Sequence, residues 1–256
     1  SFDHDTIQSM MGENWANEKT ISAWIKPEGS PPTISGAWNG QAGYGQVSGS
    51  GNYFGISRGV IGGEDRIWVY NWDGNDDRIG VEYETSEWVH ITLVQGSGKL
   101  YGYKNGELVG EVNTGASGNA GYQKIGGGTD NGRFFQGSID EVGLWNEALT
   151  ATEISALYNS GSGLDASSVS PSNLQGYWKF NEGSGNTATD LSGKGNDGTL
   201  INGPTRIVST PASTTHTLAV TDVTDGTTTS EIAYDPSNPQ IVDFSDQGLG
   251  IEVDIS

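Results

Sequence analysis

The chain contains no cysteine. A disulfide framework, thiol catalysis and Cys-based zinc sites are therefore excluded. Its three histidines, His4, His90 and His216, are too scattered for a zinc centre. Positive charge is scarce as well, with 12 Lys+Arg against 32 Asp+Glu and a net charge of −20. Nucleic-acid recognition needs clustered Lys and Arg, and this chain has none, so no nucleic-acid partner is expected. The same balance argues against anionic membrane surfaces. It suits a protein that keeps calcium near its carboxylates, or one working in salty water, where screening weakens self-repulsion. No apolar run approaches the roughly 20 residues that span a bilayer, so no membrane insertion is expected. The opening Ser1-Phe2-Asp3 carries neither Met nor a signal peptide and reads as a piece of something longer. These features fit a bacterial extracellular or cell-surface protein.

Glycine, by contrast, is abundant: 40 of 256 residues, where about 7% is usual. In long helices each would cost roughly 1 kcal/mol relative to Ala, which excludes a helical bundle. The glycines separate short Ile/Val/Trp/Tyr/Thr runs. Thr20 to Lys26 reads as a strand stopped by Pro27. Arg66 to Trp72 and Arg78 to Glu84 alternate strictly, joined by the turn-rich Asp73-Gly74-Asn75-Asp76-Asp77. Trp88 to Val94 is apolar on both faces, as a central strand would be. Asn105-Gly106 signals a two-residue hairpin between Lys99–Lys104 and Glu107–Val112. Ser138 to Trp145 reads as a further strand. Thr150-Ala151-Thr152-Glu153 is a capping box that opens one helix, with Ile154, Leu157 and Tyr158 at helical spacing and Asn159-Ser160-Gly161 ending it. Strands at this spacing predict an all-β, two-sheet antiparallel sandwich with one short helix.

Three stretches are expected: residues 1–163 as the sandwich, 164–206 as a linker plus a strand-bearing segment, and 207–256 as a small C-terminal β appendage. Gly161 to Asn173 is Ser/Gly-rich and reads as the linker. The second stretch holds a strand at Tyr177-Trp178-Lys179-Phe180. The third reads as strands at His216–Val223, Thr228–Tyr234, Gln240–Phe244 and Gly250–Ile255. So short a tail rarely folds alone, so it packs on the sandwich, joins a sheet, or belongs to a neighbouring domain.

Four motifs in order carry a family resemblance: Thr20-Ile21-Ser22-Ala23-Trp24-Ile25-Lys26-Pro27, Glu87-Trp88-Val89-His90-Ile91-Thr92, Tyr103-Lys104-Asn105-Gly106, and Gly137-Ser138-Ile139-Asp140-Glu141-Val142-Gly143-Leu144-Trp145 with the helix after it. The chain resembles the laminin-G-like, concanavalin A-like lectin/glucanase jelly rolls of bacterial surface and secreted proteins. Gly176 to Gly185, with Asp190 to Leu200, resembles the opening segment of that family, here displaced to the far end. It either opens a second repeat or folds back to complete one jelly roll, in cis or in trans; a missing first strand would leave an unpaired edge, which favours completion.

The resemblance also implies a structural Ca²⁺ tying the first strand of the family to the last. Carried over, it maps onto Asp140 with Asn181, Glu182 and Gly183. By parity with Val142 and Leu144, Asp140 would face the core, where a carboxylate needs a partner that Ca²⁺ can supply; the alternative is a carboxylate accepting backbone N–H bonds at a loop. Asp73, Asn75 and Asp77, with Glu84, echo a helix–loop–helix calcium loop, but Arg78 stands where Gly belongs, and a solvated turn is preferred. Asp190, Ser192, Lys194 and Asn196 read as a Gly-rich turn.

For ligands, Trp68, Tyr70 and Trp72 alternate with Ile67 and Val69. If the aliphatics face the core, the aromatics line an exposed face on which sugars stack, with Glu82 beside them as a hydroxyl acceptor; if not, the aromatics are core. Trp38 and Tyr44, in the Gly-rich stretch 36–51, are ligand-facing or folded under their loop. No Glu-x-Asp-x-x-Glu strand appears, Glu64-Asp65 and Asp140-Glu141 have the wrong spacing, and His90 reads as a packed histidine, so no catalysis is expected. The expected function is calcium-supported binding of a glycan or cell-surface polysaccharide. The alternatives are a structural spacer of a large adhesin or appendage, partnered by neighbouring domains or chains, and an accessory or divergent catalytic module of a glycan-degrading enzyme.

Overall fold

The structure, a computed structural model, describes residues 18–30, 53–72, 76–115, 125–126, 135–200, 204–205, 216–221 and 228–234. The chain divides into two units, Ser1–Pro211 and Ala212–Ser256.

In the first unit, β1 (Lys19–Pro27), β5 (Val89–Gly96), β6 (Lys99–Lys104), β7 (Glu107–Asn113), β8 (Gly137–Trp145) and β9 (Leu174–Trp178) form a six-stranded sheet in the order β7-β6-β5-β1-β8-β9. All its pairings are antiparallel. β2 (Tyr53–Ile61), β3 (Glu64–Trp72) and β4 (Asp76–Val81) form a second antiparallel sheet. The two sheets share one core, in which Ile21, Ile25, Ile91, Leu93, Leu144 and Trp178 pack with Phe54, Ile56, Ile67, Val69 and Val81. This is the two-sheet antiparallel sandwich that the strand spacing predicted, and the jelly-roll class that the resemblance implied.

The six-stranded sheet is covered on its other face too. There Val94, Trp145, Leu174 and Tyr177 meet Leu149, Ile154 and Leu157 of the helical segment. Two covered faces explain why β5 is buried throughout, its polar His90, Thr92 and Gln95 included. The helix, α1 (Ala151–Tyr158), starts at the capping box: Glu153 N–H donates to Thr150 Oγ1, and Thr150 N–H donates to Glu153 Oε2. It ends at Asn159 in the left-handed region. Asn105 and Gly106 both take positive φ, as a two-residue hairpin between twisted strands requires.

Three expectations need correction. Gly161 to Asn173 is a packed strap. Asp165 caps a short 3₁₀ turn at Ala166–Ser168, Ala166 and Val169 are buried, and Trp145 Nε1 donates to Val169 O. The strand expected at Tyr177–Phe180 runs instead from Leu174 to Trp178, because Phe180 adopts φ 55° and leaves the ladder while still packing against the core. β4 ends at Val81, so Glu82, Tyr83 and Glu84 follow the strand.

β9 pairs with β8, Val142 opposite Trp178 and Gly143 opposite Tyr177, and so lies at the sheet edge beside the strand of Trp145. A short pair, β10 (Thr187–Ala188) and β11 (Gly198–Thr199), follows. Asp190 organises the turn between them. Its carboxylate accepts N–H bonds from Tyr177, Ser192 and Asn196 and the Ser192 hydroxyl, so this residue is a structural staple.

In the second unit, β12 (His216–Thr221) and β13 (Thr228–Tyr234) pair antiparallel with a bulge at Val220/Thr221. The strands expected at Gln240–Phe244 and Gly250–Ile255 lie outside the described residues.

Candidate functional site

β3 is the middle strand of the three-stranded sheet, so its side chains are set by neighbours on both sides. Ile67 and Val69 are fully buried in the core. Strand alternation then turns Arg66, Trp68 and Tyr70 to the outer face. Cross-strand pairing adds Gly55, Ser57 and Gly59 from β2, and Arg78 and Gly80 from β4. The question that alternation left open, core or outer face, is thus decided for Trp68 and Tyr70.

The rings nevertheless do not stand bare. Trp68 is 9% exposed and Tyr70 4%. Trp68 lies down on the sheet: its Nε1 donates to Gly59 O at 2.9 Å, and a Cβ on Gly80 would stand 2.9 Å from the indole. Any residue larger than Gly at 80 would push the ring off. The Arg78 guanidinium sits over that ring, 5.4 Å from its centroid. An open stacking platform is therefore corrected to an inlaid one.

Polar groups border the rings. Arg66 pairs with Glu82 at 2.5 Å and with Glu64 at 3.5 Å. The guanidinium bond and charge hold the Glu82 carboxyl below its usual range, so it is an ionised acceptor at neutral pH. Ser57, directly opposite Trp68, is fully buried and its Oγ has no hydrogen-bond partner. Sequence reasoning missed Ser57, Arg66 and Arg78, since only register places them beside the aromatics. Trp72 ends β3 opposite Asp76, and its side chain lies outside the described residues, as do Trp38 and Tyr44 altogether.

The proposed metal residues sit elsewhere. Glu141 takes φ 50°, and the β1–β8 register slips between Ser22 and Trp24. This bulge adds one residue to β8 and reverses parity beyond it. Asp140 consequently pairs with Trp24 while Ile139 pairs with Ile25. Trp24 packs on His90 and on Tyr158 of α1. Asp140 thus occupies the helix-side face, not the face of Val142 and Leu144, which corrects the parity argument. Its carboxylate accepts the Glu141 N–H at 3.0 Å. Burial and the neighbouring Glu141 charge push it up to about 7. Glu182 Oε1 accepts the Thr189 N–H, while Asn181 and Gly183 are exposed. Among the described residues no three His, Asp or Glu side chains gather as a metal cluster.

The family model of the concanavalin A-like lectin/glucanases superfamily matches residues 4–155. The chain belongs to this superfamily. Among solved structures, a protein from Bacteroides ovatus assigned to carbohydrate binding is similar at 23% identity and a TM-score of 0.54, over 72% of this chain and 54% of the other. Domain 4 of an extracellular arabinanase from Geobacillus stearothermophilus, in complex with arabinotriose, follows at 23% identity and a TM-score of 0.40, over 54% of this chain and 65% of that domain. A sialidase from Trypanosoma rangeli has 17% identity and a TM-score of 0.43, over 57% of this chain and 23% of the sialidase. The chain thus spans about half the length of the Bacteroides protein. Comparison with curated proteins yields no match.

Within this concanavalin A-like sandwich, the acid pairs singled out from the sequence are engaged by neighbours. Glu64 pairs with Arg66, and Asp65 accepts from Arg58 and Tyr83. Glu141 accepts from the Tyr177 hydroxyl and pairs with Lys179. His90 Nε2 stands 2.7 Å from Ser22 Oγ, and Ser22 Oγ lies 3.1 Å from Thr92 Oγ1. Burial pushes the imidazole down to about 3, so it is neutral. No described helix is long and apolar enough to cross a membrane.

Proposed function

We propose that this chain is an extracellular carbohydrate-binding module that takes a glycan on the outer face of β2-β3-β4. One observation carries the reading. The face turned from the core sets Trp68 and Tyr70 in line, bordered by Arg78 and the Arg66–Glu82 pair. Aromatic rings with a few fixed polar groups are what sugar recognition requires. Trp72, Trp38 and Tyr44 remain proposed ligand contacts. Superfamily membership and the Bacteroides neighbour support the reading, and the engaged acid pairs favour binding over catalysis.

Calcium support is part of the proposal and rests on Asp140. Its nearly buried carboxylate has one N–H bond and a raised proton affinity, as a carboxylate short of positive charge does. Ca²⁺ held by Asp140 with oxygens of Asn181, Glu182 and Gly183 would supply that charge. Glu182 fits least, since it is committed to Thr189.

A glycan array run with and without calcium tests the reading. Binding that Arg78→Ala abolishes at unchanged melting temperature supports it. An array without any hit would leave the spacer role in an adhesin or appendage ahead.

A further inference from the structure

We infer that the protein holds a hard cation at one rim of the sandwich, on oxygens of Asn71, Asp77 and Thr114. The site begins with strand register. Asn71 on β3 stands opposite Asp77 on β4. Asn71 shares parity with Val69 and Asp77 with Ile79, so both side chains enter the space between the sheets. The six-stranded sheet answers from the other side. Thr114 follows β7, is anchored by its N–H to Gly98 O at 2.9 Å, and accepts Asn71 Nδ2 on Oγ1 at 2.9 Å.

What remains unpaired is oxygen. Asn71 is 1% exposed, yet its Oδ1 has no hydrogen-bond partner. Asp77 Oδ2 is likewise buried without one. An orphaned buried acceptor is costly, and a charged one more so. Lys19, on β1 of the six-stranded sheet, lies over the Phe54 ring at 4.4 Å, and Asp77 Oδ2 has no hydrogen bond from it. One carboxylate, one amide carbonyl and one hydroxyl form an all-oxygen donor set, which suits Ca²⁺ and not metals that seek nitrogen or sulfur. With a single formal charge, the site belongs with weak extracellular calcium modules, at about 10⁻⁴–10⁻³ M, waters filling the other positions.

The site is separate from Asp140 and does not depend on glycan binding. The sequence touched it without finding it. The Asp73-Asn75-Asp77 spacing suggested a turn, whereas Asp77 lies in β4 and takes its partner from β3.

Calcium titration of the full chain, followed by calorimetry and thermal melting, tests the inference in an Asp140→Asn background that silences the other site. Millimolar Ca²⁺ is expected to raise the melting temperature. Asp77→Asn should weaken binding about tenfold or more, and Asn71→Asp should tighten it about tenfold, since affinity follows ligand charge. If the pocket holds only a water, or if the Asn71 amide is turned so that Nδ2 donates to Asp77, the outcome differs. Ca²⁺ then leaves the parent unshifted, and Asn71→Asp melts lower without rescue by Ca²⁺. Either result overturns the inference, as does an undiminished Ca²⁺ response in Asp77→Asn.

Discussion

The two sheets of the sandwich face each other across one core but differ in what lies behind them. The six-stranded sheet is backed by α1 and the strap of residues 161–173, and its rear face carries Trp145, Tyr177, Val94 and Leu174. The three-stranded sheet turns Trp68, Tyr70, Arg66 and Arg78 outward, with glycines across from the rings. Both use a tryptophan laid over glycine: Trp145 over Gly143 in the first, Trp68 over Gly80 in the second. The same device serves opposite ends. Sealed by a helix, the indole is a cornerstone. Capped by Arg78, the other indole has a charged group above it in place of a second core.

Four measurements would break or sharpen this contrast. The largest effect is expected from Trp145→Ala, which removes a fully buried ring and its bond to Val169 O. It should cost about 3–5 kcal/mol in urea unfolding; a value near that of an exposed site would end the cornerstone role.

Acid should act next, through the rear face. Burial holds the folded His90 imidazole at about 3, below its ordinary value of 6.5. Above pH 6.5 both states are neutral and nothing is lost. Below it the unfolded state binds a proton that the folded state refuses. Measured in an Asp140→Asn background, which removes the opposing proton uptake by the raised Asp140 carboxyl, stability should therefore fall by about 2 kcal/mol between pH 6.5 and 5, at about 1.4 kcal/mol per unit. His90→Gln should flatten that slope in urea midpoints taken at both pH values, and an equal slope in the variant would contradict the assignment.

Trp68→Ala is expected to cost less than Trp145→Ala, about 1–2 kcal/mol, because its ring meets charged groups instead of a second core. It should also abolish glycan binding by calorimetry. A cost equal to that of Trp145 would make the outer face just another core. The smallest effect on stability belongs to Glu82→Gln. Its side chain is 79% exposed and its pair with Arg66 is at the surface, where ion pairs contribute little. The melting temperature should hold while glycan affinity drops; unchanged affinity would remove Glu82 from the site.

Much of the fold was legible because it depends on local periodicity. The capping box Thr150–Glu153, the Asn105-Gly106 turn and the central strand β5, buried on both faces, each report a short-range rule, and each appears as read. The strap was misread because Ser and Gly content signals a linker, whereas Ala166 and Val169 find burial only against Trp145 and its neighbours. The candidate site was half legible. Alternation separates Trp68 and Tyr70 from Ile67 and Val69, but it does not say which set faces the core.

The sequence by itself determined an acidic, cysteine-free, all-β chain with one capped helix, since charge, turn chemistry and alternation act within a few residues. Only the tertiary structure decided the rest. One bulge at Glu141 moved Asp140 to the helix side, because an extra residue reverses every side chain beyond it. Register alone placed Gly80 beneath Trp68 and Asp77 beside Asn71. Those partners lie on different strands, and which residue stands opposite which is settled by the packing of whole sheets, not by any segment alone.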